Sequence, residues 1–288
     1  MALAAGIEDV EDFESMRVRF SYPDQIEIPA IEGETLPIIA IPTTLSASEF
    51  THIAGITDEV RKVKDLYIDP KMTGRVVFLD AELMLATPEW LWLSSGMRAV
   101  DHAVEALASS GAHPFTDGLA ARALAMLDDS LRATKEDPDD LEARTRSQIA
   151  AWLSISGLAN VTLGLSHGIG HQLGARKDVP HGHTSCVMMH STMVFNKDHV
   201  GPRQATVAAA MGVDLAGMDE EAANRAGREA VLALVKDLGL PHRLREVGVE
   251  PEDFEAIAAD ALENPIVAAN PRPVTGTDEI VELLHSAY

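Results

Sequence analysis

The stretch GLSHGIGHQLGARKDVPHGHTSC, residues 164–186, decides how this chain is read. Eleven histidines are present in 288 residues, and six of them fall between His167 and His199. His167 and His171 are four apart, a spacing that puts both imidazoles on one helix face, a turn from each other. Gly168 and Gly170 between them are poor helix formers, and they make sense where another group must approach the backbone closely. His181 follows Pro180 and precedes Gly182, a rigid corner that aims a third imidazole back at the helix. The clustering marks His167, His171 and His181 as a candidate site. A zincin protease is excluded, because the second position of HGIGH is Gly168 and leaves no Glu as general base. The isolated His52, His113, His199, His242 and His285 read as ordinary hydrogen-bonded residues.

A second stretch, GMRAVDHAVEA at 96–106, carries equal weight. Arg98 and His102 stand at i and i+4, with Glu105 three residues further, so all three share roughly one helical face. Asp101 points ~100° away from His102. The apolar neighbours Met97, Val100 and Val104 flank these charges instead of opposing them, which is unlike a solvated surface helix.

Outward from these stretches the chain divides in two. Up to about residue 85 it reads as short strands between turns: Met16–Tyr22, Pro37–Thr44, Ile53–Ile56 and Gly74–Asp80. Val76–Leu79 is continuous and apolar, which suits a strand covered on both faces. After Pro88 the pattern turns helical over Trp90–Ser109, Phe115–Ala133, Leu141–Leu163, Glu220–Leu238, Pro251–Leu262 and Asp278–Ser286. The expected organisation is a β-containing segment over 1–85 and an all-helical domain over 86–288. No Gly-rich phosphate loop of the GxGxxG or GxxxxGK type occurs.

Composition bounds the partners. Lys+Arg is 23 and Asp+Glu is 45, a net charge of −22, which argues against nucleic acid and anionic membrane and for a small-molecule substrate. The lone Cys186 excludes an internal disulfide framework and a cysteine-rich metal site. No apolar run is long enough to span a bilayer, and acidic residues soon follow Met1–Ile7 with no basic flank, so the expected compartment is the cytoplasm.

The motifs resemble the iron-containing (group III) alcohol dehydrogenases, and most closely their maleylacetate reductase branch. The match rests on IPTTLSASEFT at 41–51 with TDEVRKVK at 57–64, GMRAVDHAVEA at 96–106, GLSHGIGHQLG at 164–174 with PHGHTSC at 180–186, and NPRPVT at 270–275. The resemblance implies a partial Rossmann-like NAD(P)-binding domain over 1–85, an α/β remnant, followed by the all-α catalytic domain over 86–288. It implies hydride transfer between NAD(P) and an alcohol, aldehyde or keto acid in the cleft between them. Thr43, Thr44, Ser46 and Lys64 would contact the cofactor. His102, His167 and His181 match three ligands of the divalent iron or zinc of metal-dependent members. His171 matches a nearby histidine with a catalytic or substrate-positioning role.

Two departures shape the expectation. The family's metal-binding Asp position is Arg98, a permanent cation with no acceptor. The resemblance therefore implies a metal-free site in which Arg98 binds a substrate carboxylate and a histidine donates the proton. Asp101 lies on the wrong side to replace the missing ligand simply, and Glu105 would need the helix turned. The family's upstream phosphate loop and first strands are also absent; Met1–Glu14 reads as the helix that follows that loop, and the expectations are a miscalled gene start, a separate chain that supplies the N-terminal half, or a degenerate fragment, with a homodimer as the family's habit. The rivals are a metal-dependent alcohol dehydrogenase, a non-catalytic helical module and, lowest, a histidine-based metal hydrolase.

Overall fold

The apolar runs of the N-terminal third form strands so short that each sheet pairs only two of them. The computed structural model describes residues 11–31, 35–61, 63–158 and 160–288. Of the helix expected over Met1–Glu14, residues 1–10 lie outside the described residues, and α1 runs over Glu11–Met16. β1 (Arg19–Ser21) and β2 (Gln25–Glu27) form an antiparallel pair. β3 (Ile39–Ala40), β4 (Ile53–Asp58), β5 (Val63–Ile68) and β6 (Val76–Val77) follow. β4 and β5 make an antiparallel hairpin in register from Ile53↔Ile68 to Asp58↔Val63. β5 carries no clear apolar alternation, because Lys64 and Asp65 interrupt it.

β3 and β6 are parallel, with Ile39 opposite Val76 and Ala40 opposite Val77. The expectation of a strand covered on both faces is not met there. Ile39, Val76 and Phe78 are 67%, 44% and 54% exposed. A parallel pair normally has neighbours on its faces and edges; among the described residues this one stands alone.

From Pro88 the chain is helical. α2 (Glu89–Ala108) buries every residue from Trp92 to Leu107, so it is an all-round core helix and not an amphipathic one. α3 (Pro114–Glu136) and α4 (Leu141–Ile155) pack beside it. The helix expected as far as Leu163 stops at Ile155, where Ser156 and Gly157 begin a turn. α5 (Leu165–Lys177) and α6 (His181–Asn196) carry the histidine stretch, with Pro180 at the α6 N-cap. α7 (Arg203–Ala210), which the periodicity did not reveal, opens after Pro202. α8 (Glu220–Asp237) ends ahead of Gly239, whose φ of 71° is the left-handed closing position glycine favours. α9 (Phe254–Leu262), α10 (Pro265–Ala268) and α11 (Thr277–Ala287) close the chain.

Two apolar cores result. One gathers Trp92, Met97, Val100 and Leu107 of α2 with Leu124, Leu127 and Leu131 of α3 and Val231 and Leu234 of α8. The other joins Leu165, Ile169 and Leu173 of α5 to Met188 of α6, Ile257 of α9 and Leu284 of α11. The polar groups of α2, α5 and α6 lie where these cores meet. Glycines let the helices close: a Cβ at Gly182 would lie 2.4 Å from the carbonyl carbon and oxygen of Ser94, and one at Gly168 would strike Val267. By contrast, a Cβ at Gly118 in α3 meets nothing within 4 Å. Gly182→Ala is therefore expected to cost about 1–3 kcal/mol through forced separation of α2 and α6. Gly118→Ala should gain about 0.5–1 kcal/mol through reduced chain entropy. Chemical denaturation of both variants checks the contrast; equal effects would refute the close helix approach.

Candidate active site

Three helices supply the site. α2 contributes Arg98, Asp101, His102 and Glu105, α5 contributes Ser166, His167 and His171, and α6 contributes His181 and Ser185. Gly170 sits where a side chain would crowd Thr184 and come within 3.6 Å of Arg98 Nη1, so its lack of a Cβ leaves room for the guanidinium.

A continuous hydrogen-bond network joins Arg98, Ser185, Asp101, Ser166, Glu105 and His167. Ser166 and Ser185 each donate their hydroxyl to Asp101 Oδ2 at 2.7 Å. Arg98 Nη1 donates to Ser185 Oγ at 3.0 Å and stands 3.8 Å from Asp101 Oδ2. Glu105 accepts from the backbone N–H of Gly164 at 2.7 Å and of Ser166 at 2.8 Å, so it caps the start of α5 across the interface. The same carboxylate lies 2.7 Å from His167 Nδ1 and holds that nitrogen as the donor. The His102 and His167 rings stack at 4.9 Å, and those of His171 and His181 at 5.9 Å. Arg98 Nε, Asp101 Oδ1, His102 Nδ1 and His167 Nε2 are buried with no hydrogen-bond partner. Unpaired buried polar groups are costly, so their gathering here marks a site kept open for function.

One sequence expectation is corrected. Asp101 is not turned away from the site. It is 0% exposed and, like Glu105 one turn on, meets Ser166 at the start of α5. Measured from His102 it looks misplaced; measured from Glu105 and Arg98 it faces inward.

Burial and charge set the ionisation. Burial brings Arg98 down to about 10, opposed by Asp101 and Glu105, and leaves it a cation at neutral pH. Asp101 and Glu105 are raised to about 7, mainly by burial. His102, His167 and His171 are pushed well below the ordinary histidine value by burial, with Arg98 adding to each. His181 is pushed down chiefly by the field of Arg98. Burial and the field of Arg98 thus favour the neutral form of all four imidazoles in the free protein.

Beside His181 opens a cavity of about 590 Å³, walled by Ser46, Ser48, Glu49, Thr51, Lys64 and His181 among others. The 41–51 loop is tied to the helices by Leu45 N–H donating to Ser95 Oγ at 3.0 Å and by Thr87 Oγ1 donating to the Thr43 carbonyl at 2.7 Å. Of the four residues expected to touch a cofactor, Ser46 and Lys64 line this cavity. Thr43 and Thr44 do not. Gly55 gives passage to Lys64, whose Cε would lie 2.3 Å from a Cβ built there. Hydroxyls, a cation and glycine-cleared backbone suit the sugar and amide portions of a nucleotide, so Ser46, Ser48 and Lys64 are the residues that would hold one.

A metal ion is not equally well served. The set His102, His167 and His181 has Arg98 at the fourth position, a buried guanidinium that repels a cation and offers it no lone pair. Among the described residues, the group whose ligand atoms come within 4.8 Å of one another is Asp101, Glu105 and His167. Three of the four carboxylate oxygens are already engaged: those of Glu105 by two backbone N–H groups and His167, and Asp101 Oδ2 by two hydroxyls. Only Asp101 Oδ1 and His167 Nε2 are unengaged in that group. The donors present do not fit a resident metal.

A partial Rossmann-like segment ahead of a helical domain, with buried paired histidines of which His181 reaches the cavity, defines a dehydrogenase scaffold. Residues 92–288 match the C-terminal model of the Fe-containing alcohol dehydrogenase family, and residues 2–81 match the iron-containing alcohol dehydrogenase model. The chain belongs to this family of oxidoreductases. It is 36% identical over 273 residues to a lactaldehyde reductase of Escherichia coli (strain K12), covering 92% of this chain and 71% of that one. It is 33% identical over 254 residues to a maleylacetate reductase of Pseudomonas sp. (strain P51), covering 88% and 68%. An alcohol dehydrogenase structure from Oenococcus oeni superposes with a TM-score of 0.91 at 30% identity, covering 100% of this chain and 72% of that one. No described helix is long and apolar enough to cross a membrane.

The buried histidines make stability pH-dependent. Their depressed values contribute stability that is complete above the ordinary ~6.5 and is lost as pH falls below it. Asp101 and Glu105 act in the opposite sense: their raised values favour the fold below ~4, and that contribution is lost as pH rises through about 7. Four groups oppose two, so between pH 6.5 and 5.5 the unfolded chain takes up more protons and stability falls, at up to ~1.4 kcal/mol per pH unit for each net proton. Thermal unfolding across that window should show a falling midpoint, with a shallower slope in His171→Asn. A flat or rising midpoint would contradict the neutral assignment.

Proposed function

We propose that the chain serves an NAD(P)H-dependent reductase of the maleylacetate reductase type, which reduces the activated double bond of an unsaturated keto acid. The observation that carries this reading is the buried Arg98 guanidinium, 2% exposed, with Nη1 engaged by Ser185 and Nε left without a partner. An unengaged guanidinium edge suits a carboxylate in a two-point contact. Bound NAD(P)H supplies the hydride. Arg98 binds the substrate carboxylate and thereby orients the double bond toward the cavity that Ser46, Lys64 and His181 line. Addition of hydride to the carbon remote from the carbonyl moves the alkene electrons onto the carbonyl oxygen as an enolate, and a proton then completes the reduction. His181 is the candidate proton carrier. Pairing of Arg98 with an anion removes the largest influence that depresses it, so its basicity returns when substrate arrives. His102, His167 and His171 keep the floor of the site polar while remaining neutral.

Completion of the nucleotide half belongs to this reading. The bare parallel pair of β3 and β6, with Ile39 and Val76 exposed, suits further strands added beside it. A metal-dependent reading toward a small alcohol or aldehyde such as lactaldehyde is favoured by one observation, the approach of Asp101, Glu105 and His167 to within 4.8 Å.

The test is a steady-state assay with NADH, comparing maleylacetate with lactaldehyde in the presence of EDTA or of added Fe²⁺ or Zn²⁺. Maleylacetate reduction that persists in EDTA is expected, and Arg98→Lys should lower kcat/KM roughly 10- to 100-fold through loss of the two-point contact. Turnover of lactaldehyde alone, and only with metal, would overturn the proposal in favour of the second reading.

A further inference from the structure

The charge balance of the buried site assigns a residue that the family pattern does not mark. We propose that Asp101 is the positioning residue for Arg98, acting through Ser185, and that the two act as one coupled pair at the base of the site. The proposal rests on Arg98 as the carboxylate-binding group.

The two buried carboxylates of α2 differ in their hydrogen-bond partners, although both are reached by Ser166 and His167 Nδ1 stands 3.4 Å from Asp101 Oδ2 as well. Glu105 is taken by the start of α5, through two backbone N–H groups, and by His167. It is a capping group and has no hydrogen bond to Arg98. Asp101 has no backbone partner; both of its donors are hydroxyls, one from α5 and one from α6. Ser185 is the link, because it receives from Arg98 Nη1 at 3.0 Å and gives to Asp101 Oδ2 at 2.7 Å. The direct Arg98–Asp101 separation of 3.8 Å is too long for a hydrogen bond, so direction comes from the serine and charge from the carboxylate. Arg98 and Asp101 are 2% and 0% exposed. A lone guanidinium so deep would be prohibitive, and so would a lone carboxylate. Ser185 holds only one nitrogen, leaving the Nε edge for ligand. Pinning one edge of a fork while sparing the other is what a fixed two-point anion site requires.

The test is a double-variant cycle on the whole chain. Asp101→Asn strands the cation, Arg98→Met strands the carboxylate, and Arg98→Met/Asp101→Asn removes both charges. Each single variant is expected to lower the thermal midpoint, and the double variant to recover at least half of the summed loss. For the active variants, Asp101→Asn and the milder Ser185→Ala should raise KM for maleylacetate about tenfold or more and leave KM for NADH within about twofold. Additive midpoints in the cycle, or parallel rises in both KM values, would overturn the proposal by reducing Asp101 to a packing role. Failure of the substrate reading looks different: the wild-type chain would not reduce maleylacetate, yet the midpoints would still be coupled and the Arg98–Asp101 unit would stand.

Discussion

The architecture of the helical domain turns on one demand, the burial of the Arg98 guanidinium between three helices. A cation 2% exposed cannot be left without a counter-charge, and the nearest one is three residues along its own helix. Asp101 can serve only if the hydroxyls of Ser166 and Ser185 reach it, which fixes how α5 and α6 lie against α2. Glu105, one turn further, is then close enough to cap the first backbone N–H groups of α5. The favourable field at that helix start is what allows a second buried carboxylate so near the first. Gly170 and Gly182 are the steric counterpart of the same demand, since each stands where a side chain would push the helices apart.

The same charge governs the imidazoles. Arg98 contributes to the depression of His102, His167, His171 and His181, and it dominates at His181, the one that lines the cavity. The histidines form two stacked pairs. Close approach of two rings tolerates neutral forms far better than charged ones, so the stacking and the shifted values are two aspects of one arrangement. A metal would pull in the opposite direction, because it needs the lone pairs of these rings to converge on a point that the guanidinium makes repulsive.

Much of this was legible before any coordinates. The i, i+4 histidines of α5, the Pro180–His181 start of α6 and the departure at Arg98 are local patterns, and local patterns survive folding. Asp101 was not legible from its angle to His102, because α2 is buried on every side and has no single inner face. The usable signal was the four-residue step from Asp101 to Glu105, two acids a turn apart inside an apolar helix. Ser166 and Ser185 carried no signal, since a serine becomes informative only when the acceptor it reaches is known. The cofactor loop was half legible: its position depends on Leu45 and Thr87 tethers to partners about 45–50 residues away in sequence, which spacing does not reveal.

The strand region explains the remaining misreading. Val76–Leu79 has the composition of a strand buried on both faces, and the composition describes what the strand is built for, whereas the structure records what lies beside it. Ile39, Ile41, Val76 and Phe78 present apolar side chains outward from a parallel pair of only two residues per strand. Such a pair cannot stabilise itself, because isolated two-stranded sheets are marginal even when antiparallel. The loop that follows β3 is anchored in the helical core by Leu45 and Ala47. The helical half thus shapes the buried polar site by its own packing. Among the described residues the short parallel strands keep apolar side chains exposed, so the order of the helical half and that of the strand region rest on different contacts.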